Sequence, residues 1–336
     1  MDMNSLREAA RERFGKACRV CKICNGVACA GEVPGMGGLG TGAAFQSNMQ
    51  ALALHRLQQR VVHQISEPKL SCTIFGQELT MPILGAPIGG IAFNLNDFLP
   101  EAEYAAAIVN GCLQAGTLGM TGDGPNPGVF NGGLEAVRLA GGQGIPVLKP
   151  RDNEAVLEKM QEAAAAGAIA VGMDLDAAAL INMTRAGQRV GPKTKEQLAE
   201  LKRHAPLPFF VKGIMTEADA EACAWAGVDG IVVSNHGGRV LDHTPGTAEV
   251  LPEIVEAVDG ALTVLVDGGV RSGTDVLKML ALGADAVLIG RPLTVGAVGG
   301  AAGVALLLEQ MAAELQAAMI MTGTASVEDV AEDILW

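Results

Sequence analysis

Aromatic residues are scarce in this chain, at 3% of 336 residues, with two tryptophans and one tyrosine, Tyr104. Its core must therefore be aliphatic and alanine-rich, since 49% of residues are hydrophobic all the same. Basic residues are also in deficit, 24 against 37 acidic ones, for a net charge of −13. That balance excludes nucleic acid and anionic membrane as natural partners. Long apolar runs are lacking too. The stretch 297–308 comes closest to a membrane span, but it is rich in small residues and stops at Glu309. The N-terminus, MDMNSLREAARERFGK, has no apolar core of the signal-peptide kind. The expectation is a cytoplasmic protein with no membrane partner.

Cysteine is present but unevenly spread. Cys72, Cys112 and Cys223 are scattered, whereas Cys18, Cys21, Cys24 and Cys29 form C-x2-C-x2-C-x4-C. Four thiols so spaced can close around a metal or an iron–sulfur cluster; the alternative is redox-active or packing thiols. Without a secretory signal a disulfide framework is not expected. The run G-E-V-P-G-M-G-G-L-G-T-G follows, too glycine-rich for regular structure, and predicts a loop folded over something. Residues 5–16 and 45–60 read as helices.

From residue 80 onward short apolar runs alternate with helical stretches. The runs are 83–86, 117–120, 146–149, 169–173, 209–212, 231–234, 263–266 and 286–289. Gly116, Gly167, Gly227 and Gly283 each end a helix just before a strand. Eight such units predict an α/β fold: a closed parallel (β/α)8 barrel over 80–336, preceded by a helical and Cys/Gly-rich extension over 1–79. An open doubly wound sheet is the runner-up, but Ala86-Pro87-Ile88-Gly89-Gly90 does not supply its glycine-rich dinucleotide turn.

Chemistry in such barrels sits at the C-terminal ends of the strands. Those ends carry Lys149, Asp174, Lys212, His236 with Arg239, the turn Asp267-Gly268-Gly269-Val270-Arg271, and Gly290-Arg291. Histidine beside a fixed cation suits proton abstraction from a small anionic substrate. The two glycine turns, each opening a helix and each followed by an arginine, suit a phosphate group.

Residues 209–323 resemble the FMN-dependent L-2-hydroxy-acid oxidases and dehydrogenases, the family of glycolate oxidase and lactate oxidase. The motifs that carry this are F-V-K-G-I at 210–214, S-N-H-G-G-R-V-L-D at 234–242, D-G-G-V-R-S-G-T-D at 267–275 and G-R-P at 290–292. The resemblance implies a TIM barrel that binds FMN, assembles as a homotetramer and oxidises a small L-2-hydroxy acid such as lactate or glycolate. It implies His236 as base, Asp174 as its carboxylate partner, Arg239 on the substrate carboxylate and Lys212 against the flavin. Pro87 and Ile88 would run along one flavin face, with Lys149 nearby. Asp267 would bind the ribityl chain, and Gly268, Gly269, Arg271, Gly290 and Arg291 the phosphate.

The sequence also departs from that family. Two substrate-binding tyrosines are expected, and Tyr104 matches neither. The threonine before the strand-end aspartate is Gly172, and the arginine string after it is missing, with Arg185 or Arg189 as stand-ins. Two alternatives follow: a flavin isomerase of the type 2 isopentenyl-diphosphate kind, or a flavin/metal redox module that passes electrons to a protein partner.

Overall fold

Eight short parallel strands form the sheet on which the rest of the molecule is hung. The computed structural model describes the chain from Met1 to Trp336, apart from the side chain of Ile181. A hairpin comes first, β1 (Cys72–Ile74) and β2 (Gln77–Leu79). The barrel strands follow: β3 (Ile83–Gly85), β4 (Met120–Thr121), β5 (Ile145–Leu148), β6 (Val171–Asp174), β7 (Phe209–Ile214), β8 (Gly230–Val233), β9 (Thr263–Val266) and β10 (Ala286–Ile289). They pair in the order β3-β10-β9-β8-β7-β6-β5-β4, and a bridge between Gly85 and Gly119 brings the two ends together.

Burial on both faces explains why the runs are continuously apolar rather than alternating. Leu84, Val147, Val232, Leu265 and Leu288 point into the barrel. Their neighbours Ile83, Leu148, Ile231, Val266 and Ile289 face the surrounding helices. The β1–β2 hairpin closes the floor, where Phe75 stacks on Phe210 with ring centroids 5.3 Å apart. The second barrel strand, β4, is shorter than the sequence predicted and starts later, because Thr117 N–H is engaged in closing the preceding helix on Cys112 O.

The first helix, Met3–Phe14, is fixed by reciprocal Asp2 and Ser5 capping. A second helix, Ala43–Leu54, is shorter than the predicted 45–60. It stops because the following residues pair with the C-terminus, Leu57 bridging Leu335. The last helix, Gly300–Thr322, corrects the reading that nothing reaches the length of a membrane span: by length and composition it does. Its buried face, with Val304, Leu308, Met311, Leu315 and Met319, packs on the outside of the barrel. Residues 15–42 contain no helix and lie across the strand C-termini, with Leu39 N–H donating to Gly238 O at 2.8 Å.

Candidate active site

The loop after β8 is held from both sides. Ser234 Oγ accepts from His236 N–H at 3.0 Å and donates to Asp267 Oδ1 at 2.7 Å. Asn235 and Asn48 exchange side-chain amide hydrogen bonds at 2.8 and 3.2 Å, tying the loop to the helix Ala43–Leu54. That helix comes so close that a Cβ on Gly238 would lie 2.3 Å from Phe45 N, and Gly238 itself has φ +76°. Only glycine fits there. His236 is left in the left-handed region at φ +57°, a conformation that persists only when its surroundings enforce it.

The carboxylate on His236 is Asp176, not Asp174. Asp176 Oδ1 lies 2.8 Å from Nδ1, while Asp174 Oδ1 is 3.9 Å away. A carboxylate only accepts, so Nδ1 carries the proton and Nε2 presents its lone pair. Asp174, 1% exposed, is instead the hub of a buried ion cluster: Lys149 Nζ at 2.7 Å and Lys212 Nζ at 3.2 Å. Burial would raise the Asp174 pKa, but the two ammonium groups outweigh it and hold the carboxyl well below its usual range. Burial would likewise lower Lys212, and Asp174, Asp176 and Asp267 outweigh it in the other direction. Asp174, Asp176 and His236 bring ligand atoms within 4.8 Å of one another, but Lys149 and Lys212 already supply the cations there.

Two glycines explain the rearrangement. β7 has a bulge between Lys212 and Ile214, and a Cβ on Gly213 would lie 2.4 Å from Asp176 Cβ. The bulge glycine therefore makes the space in which Asp176 reaches His236. A Cβ on Gly172 would lie 2.4 Å from the Phe210 ring, so the family's threonine is replaced by room for a phenylalanine in the barrel interior.

The other end of the cleft lacks acids. Arg271 Nε donates to Cys24 O at 3.2 Å, and Arg291 donates to Met36 O at 2.8 Å and to Gly237 O at 3.0 Å. Arg239 donates to Gly35 O and to Asn94 Oδ1, the latter at 2.8 Å. Among the described residues, none of these arginines pairs with a carboxylate. Burial lowers the Arg291 pKa, and the neighbouring Arg239 and Arg271 add to the effect. Burial pushes Arg239 down to about 10. The backbone N–H groups of Gly268, Gly269, Val270 and Gly290 donate to no protein acceptor among the described residues. Free amides at two turns and uncompensated guanidiniums are the donor set a phosphate monoester needs, so a phosphate-bearing cofactor fits here.

A single cleft is lined by Pro87, Ile88, Lys149, Lys212, His236, Arg239, Asp267, Gly268, Gly269, Arg271, Gly290 and Arg291. Of the residues expected to serve the flavin, the base or the substrate carboxylate, Asp174 lies behind that wall, and the cysteines Cys18, Cys21, Cys24 and Cys29 do not line the cleft. Tyr104 is buried in the helix Glu101–Gln114, edge-on to Phe98, and takes no part. Arg185 and Arg189 do not line the cleft; Asn94 and Asn182 do. Arg151 pairs with the buried Asp123, which also accepts from Lys149 N–H at 3.0 Å and so fixes that strand end. Asp176, Asn94 and the Asp123–Arg151 pair were missed in the sequence. A glycine inside the β7 motif was the one signal that could have pointed to Asp176.

Comparison with known proteins gives the following. The family described as FMN-dependent dehydrogenase matches residues 35–198 and 188–336. A 2-hydroxyacid oxidase of Dictyostelium discoideum is 50% identical over 144 residues, a match covering 43% of this chain and 37% of that protein. A peroxisomal (S)-2-hydroxyacid oxidase of Arabidopsis thaliana is 32% identical over 319 residues, covering 85% of this chain and 86% of that one. An L-lactate oxidase of Nostoc is 32% identical over 87% of this chain and 90% of its own. Among solved structures, a mandelate oxidase superposes with a TM-score of 0.82 at 30% identity, covering 100% of this chain and 97% of that one.

Proposed function

The chain belongs to the FMN-dependent dehydrogenase family, and from that premise we propose that it oxidises a small L-2-hydroxy acid to the 2-oxo acid. The observation that carries this is the Asp176–His236 pair, with Nε2 free at a cleft whose other walls hold Arg239, Lys212 and the phosphate-binding turns.

Bound FMN supplies the two-electron acceptor. The free amides of Gly268, Gly269 and Gly290, with Arg271 and Arg291, would hold its phosphate, and Asp267 its ribityl chain. Pro87 and Ile88 would lie along the ring. Lys212 holds a fixed positive charge in the wall beside it, kept protonated by three carboxylates.

His236 Nε2 takes the proton from the substrate hydroxyl. Asp176 keeps the ring in the tautomer that can do so and stabilises the imidazolium formed. The substrate carboxylate pairs with the Nε side of Arg239, since Nη1 donates to Gly35 O and Gly37 O and Nη2 to Asn94. Asn94, on the same cleft wall, fixes that guanidinium, and no tyrosine shares the task. Small neighbours, with Asn182 and Phe93 on the cleft wall, leave space for a side chain beyond the hydroxy-acid head.

The same reading carries a homotetramer and a cytoplasmic location, which sedimentation of the FMN-loaded chain and fractionation of cells test. The diphosphate-isomerase alternative would leave the His236–Asp176 pair without a task and is not favoured. Anaerobic mixing of the FMN-loaded protein with lactate, glycolate, mandelate and longer 2-hydroxy acids tests the proposal. Bleaching of the flavin by at least one acid is expected, slowed about 10²–10⁴-fold in His236→Ala with FMN still bound. No bleaching across the panel would sink it.

A further inference from the structure

The cysteine-rich turn lies against the phosphate end of the cleft, and nothing in the hydroxy-acid chemistry uses it. Arg271 donates through Nε to Cys24 O at 3.2 Å, and its guanidinium NH2 lies 3.6 Å from Cys24 Sγ. Arg291 and Arg239 are bound to carbonyls of the loop that follows Cys29. All four thiols are free and partly buried. The segment folds back on itself: Met36 N–H donates to Ala17 O at 3.1 Å, Glu32 N–H donates to Cys29 O at 3.2 Å and Arg19 pairs with Glu32 at 2.6 Å, which brings the two ends of the cysteine run, Cys18 and Cys29, together.

The four sulfurs are not drawn together as a mononuclear site would require. A tetrahedral zinc with ~2.3 Å bonds needs sulfurs roughly 3.8 Å apart. Among the described residues, no three of these sulfurs come within 4.8 Å of one another. A cubane cluster spreads its four ligands wider, because each binds a different iron. The local backbone agrees. Val20 N–H donates to Cys18 Sγ at 3.4 Å, an amide-to-sulfur bond inside the first C-x2-C turn. That turn is forced by Val20 at φ +46°, an unfavourable conformation for a β-branched residue. Arg271 lies against Cys24 Sγ, and Lys16, Arg19 and Lys22 stand in the same stretch of sequence, Arg19 paired with Glu32, although the chain as a whole is acidic. Cationic surroundings are what a cluster with four thiolate ligands requires.

We propose that Cys18, Cys21, Cys24 and Cys29 bind one [4Fe–4S] cluster, which serves as the electron outlet of the flavin site. In this scheme, which rests on the hydroxy-acid reading for its electron source, substrate oxidation delivers two electrons to the flavin and releases two protons to solvent. The cluster takes the electrons singly, cycling between its 2+ and 1+ states, and passes each to a one-electron carrier protein. Ile23 and Val27, 68% and 60% exposed on the same turn, give that carrier an apolar contact beside the ligands.

The test begins with protein purified without oxygen, or reconstituted with ferrous iron and sulfide under thiol. About four iron and four labile sulfide per chain are expected, with one FMN measured separately. Dithionite should then give the paramagnetic resonance signal of a reduced cluster. Cys21→Ser should lose the iron and the signal and keep FMN, whereas Cys72→Ser should keep all three. Absence of stoichiometric iron after reconstitution, or one zinc per chain in its place, overturns the site. The electron role is read apart from it. A hydroxy acid that bleaches the flavin should also reduce the cluster; a bleached flavin beside a cluster that only dithionite reduces overturns the outlet and leaves the oxidation chemistry standing.

Discussion

The two ends of the cleft solve the problem of buried charge in opposite ways. Around His236, every ionised group has an opposite charge beside it: Asp174 has two lysines, and Asp176 and Asp267 lie within 3.9 and 3.6 Å of Lys212. Around Gly268 and Gly290, three arginines meet carbonyl oxygens, the Cys24 sulfur and the Phe45 ring, and no carboxylate. The first end is complete as it stands, and it can hold a proton at a defined nitrogen. The second is completed by an anion from outside. A network that must keep a base in one tautomer should not depend on ligand, whereas a site that must bind a dianion should leave its cations uncompensated.

The largest effect that would break this contrast lies at the paired end. Asp176→Asn keeps the shape but allows the amide to donate to Nδ1, which moves the proton to Nε2 and removes the base. A loss in turnover of roughly 10³–10⁴-fold is expected, with FMN binding unchanged. Gly213→Ala should produce part of the same loss, because its Cβ would occupy the space of Asp176. A normal rate of flavin reduction in Asp176→Asn would mean that Asp174 is the working carboxylate after all.

Next comes stability. Asp174→Asn leaves Lys149 and Lys212 buried with less compensation, and about 3–5 kcal/mol of folding stability should be lost in urea unfolding of the FMN-loaded protein. Arg291→Ala, at the other end, should do the reverse. It removes a charge that has no acidic partner, so the protein without FMN should lose little stability, while FMN binding weakens by about 1.5–3 kcal/mol, or roughly 10–150-fold. Equal losses of stability in both variants would erase the distinction between a prebuilt end and a ligand-completed end.

Most of the barrel was legible because strands buried on both faces read as short unbroken apolar runs, and glycine marks the helix ends before four of them. The rim could be read because strand ends collect chemistry whatever the fold's details. Partner choice was not legible. Asp174 and Asp176 are two residues apart and chemically identical; which one meets His236 depends on a bulge at Gly213 and on two lysines from other strands. Nor could the sequence reveal that residues 35–37 would lend their carbonyls to Arg239 and Arg291. That depends on how the extension lies over the barrel, which has no periodicity to read.

The smallest predicted effect concerns the join between that extension and the catalytic loop. Asp242, three residues beyond Arg239, accepts from Thr41 N–H at 2.6 Å, Thr41 Oγ1 at 2.8 Å and Ala44 N–H at 3.3 Å. Burial opposes ionisation, but these donors outweigh it and hold the carboxyl below its ordinary value of 3.8. A carboxyl whose folded pKa is depressed contributes fully above its unfolded value and loses that contribution as the pH falls through the folded one. The tie should therefore be intact at neutral pH and weaken only below about 3.8. Limited proteolysis within the glycine-rich stretch 31–42 reports on it directly. Wild-type protein should become more easily cut as the pH falls through that range, while Asp242→Asn should be cut more readily at neutral pH and show a flatter response to acid. If the variant and the wild type respond alike, the extension is held by the arginine–carbonyl contacts alone, and the ligand-completed end of the cleft supports its own lid.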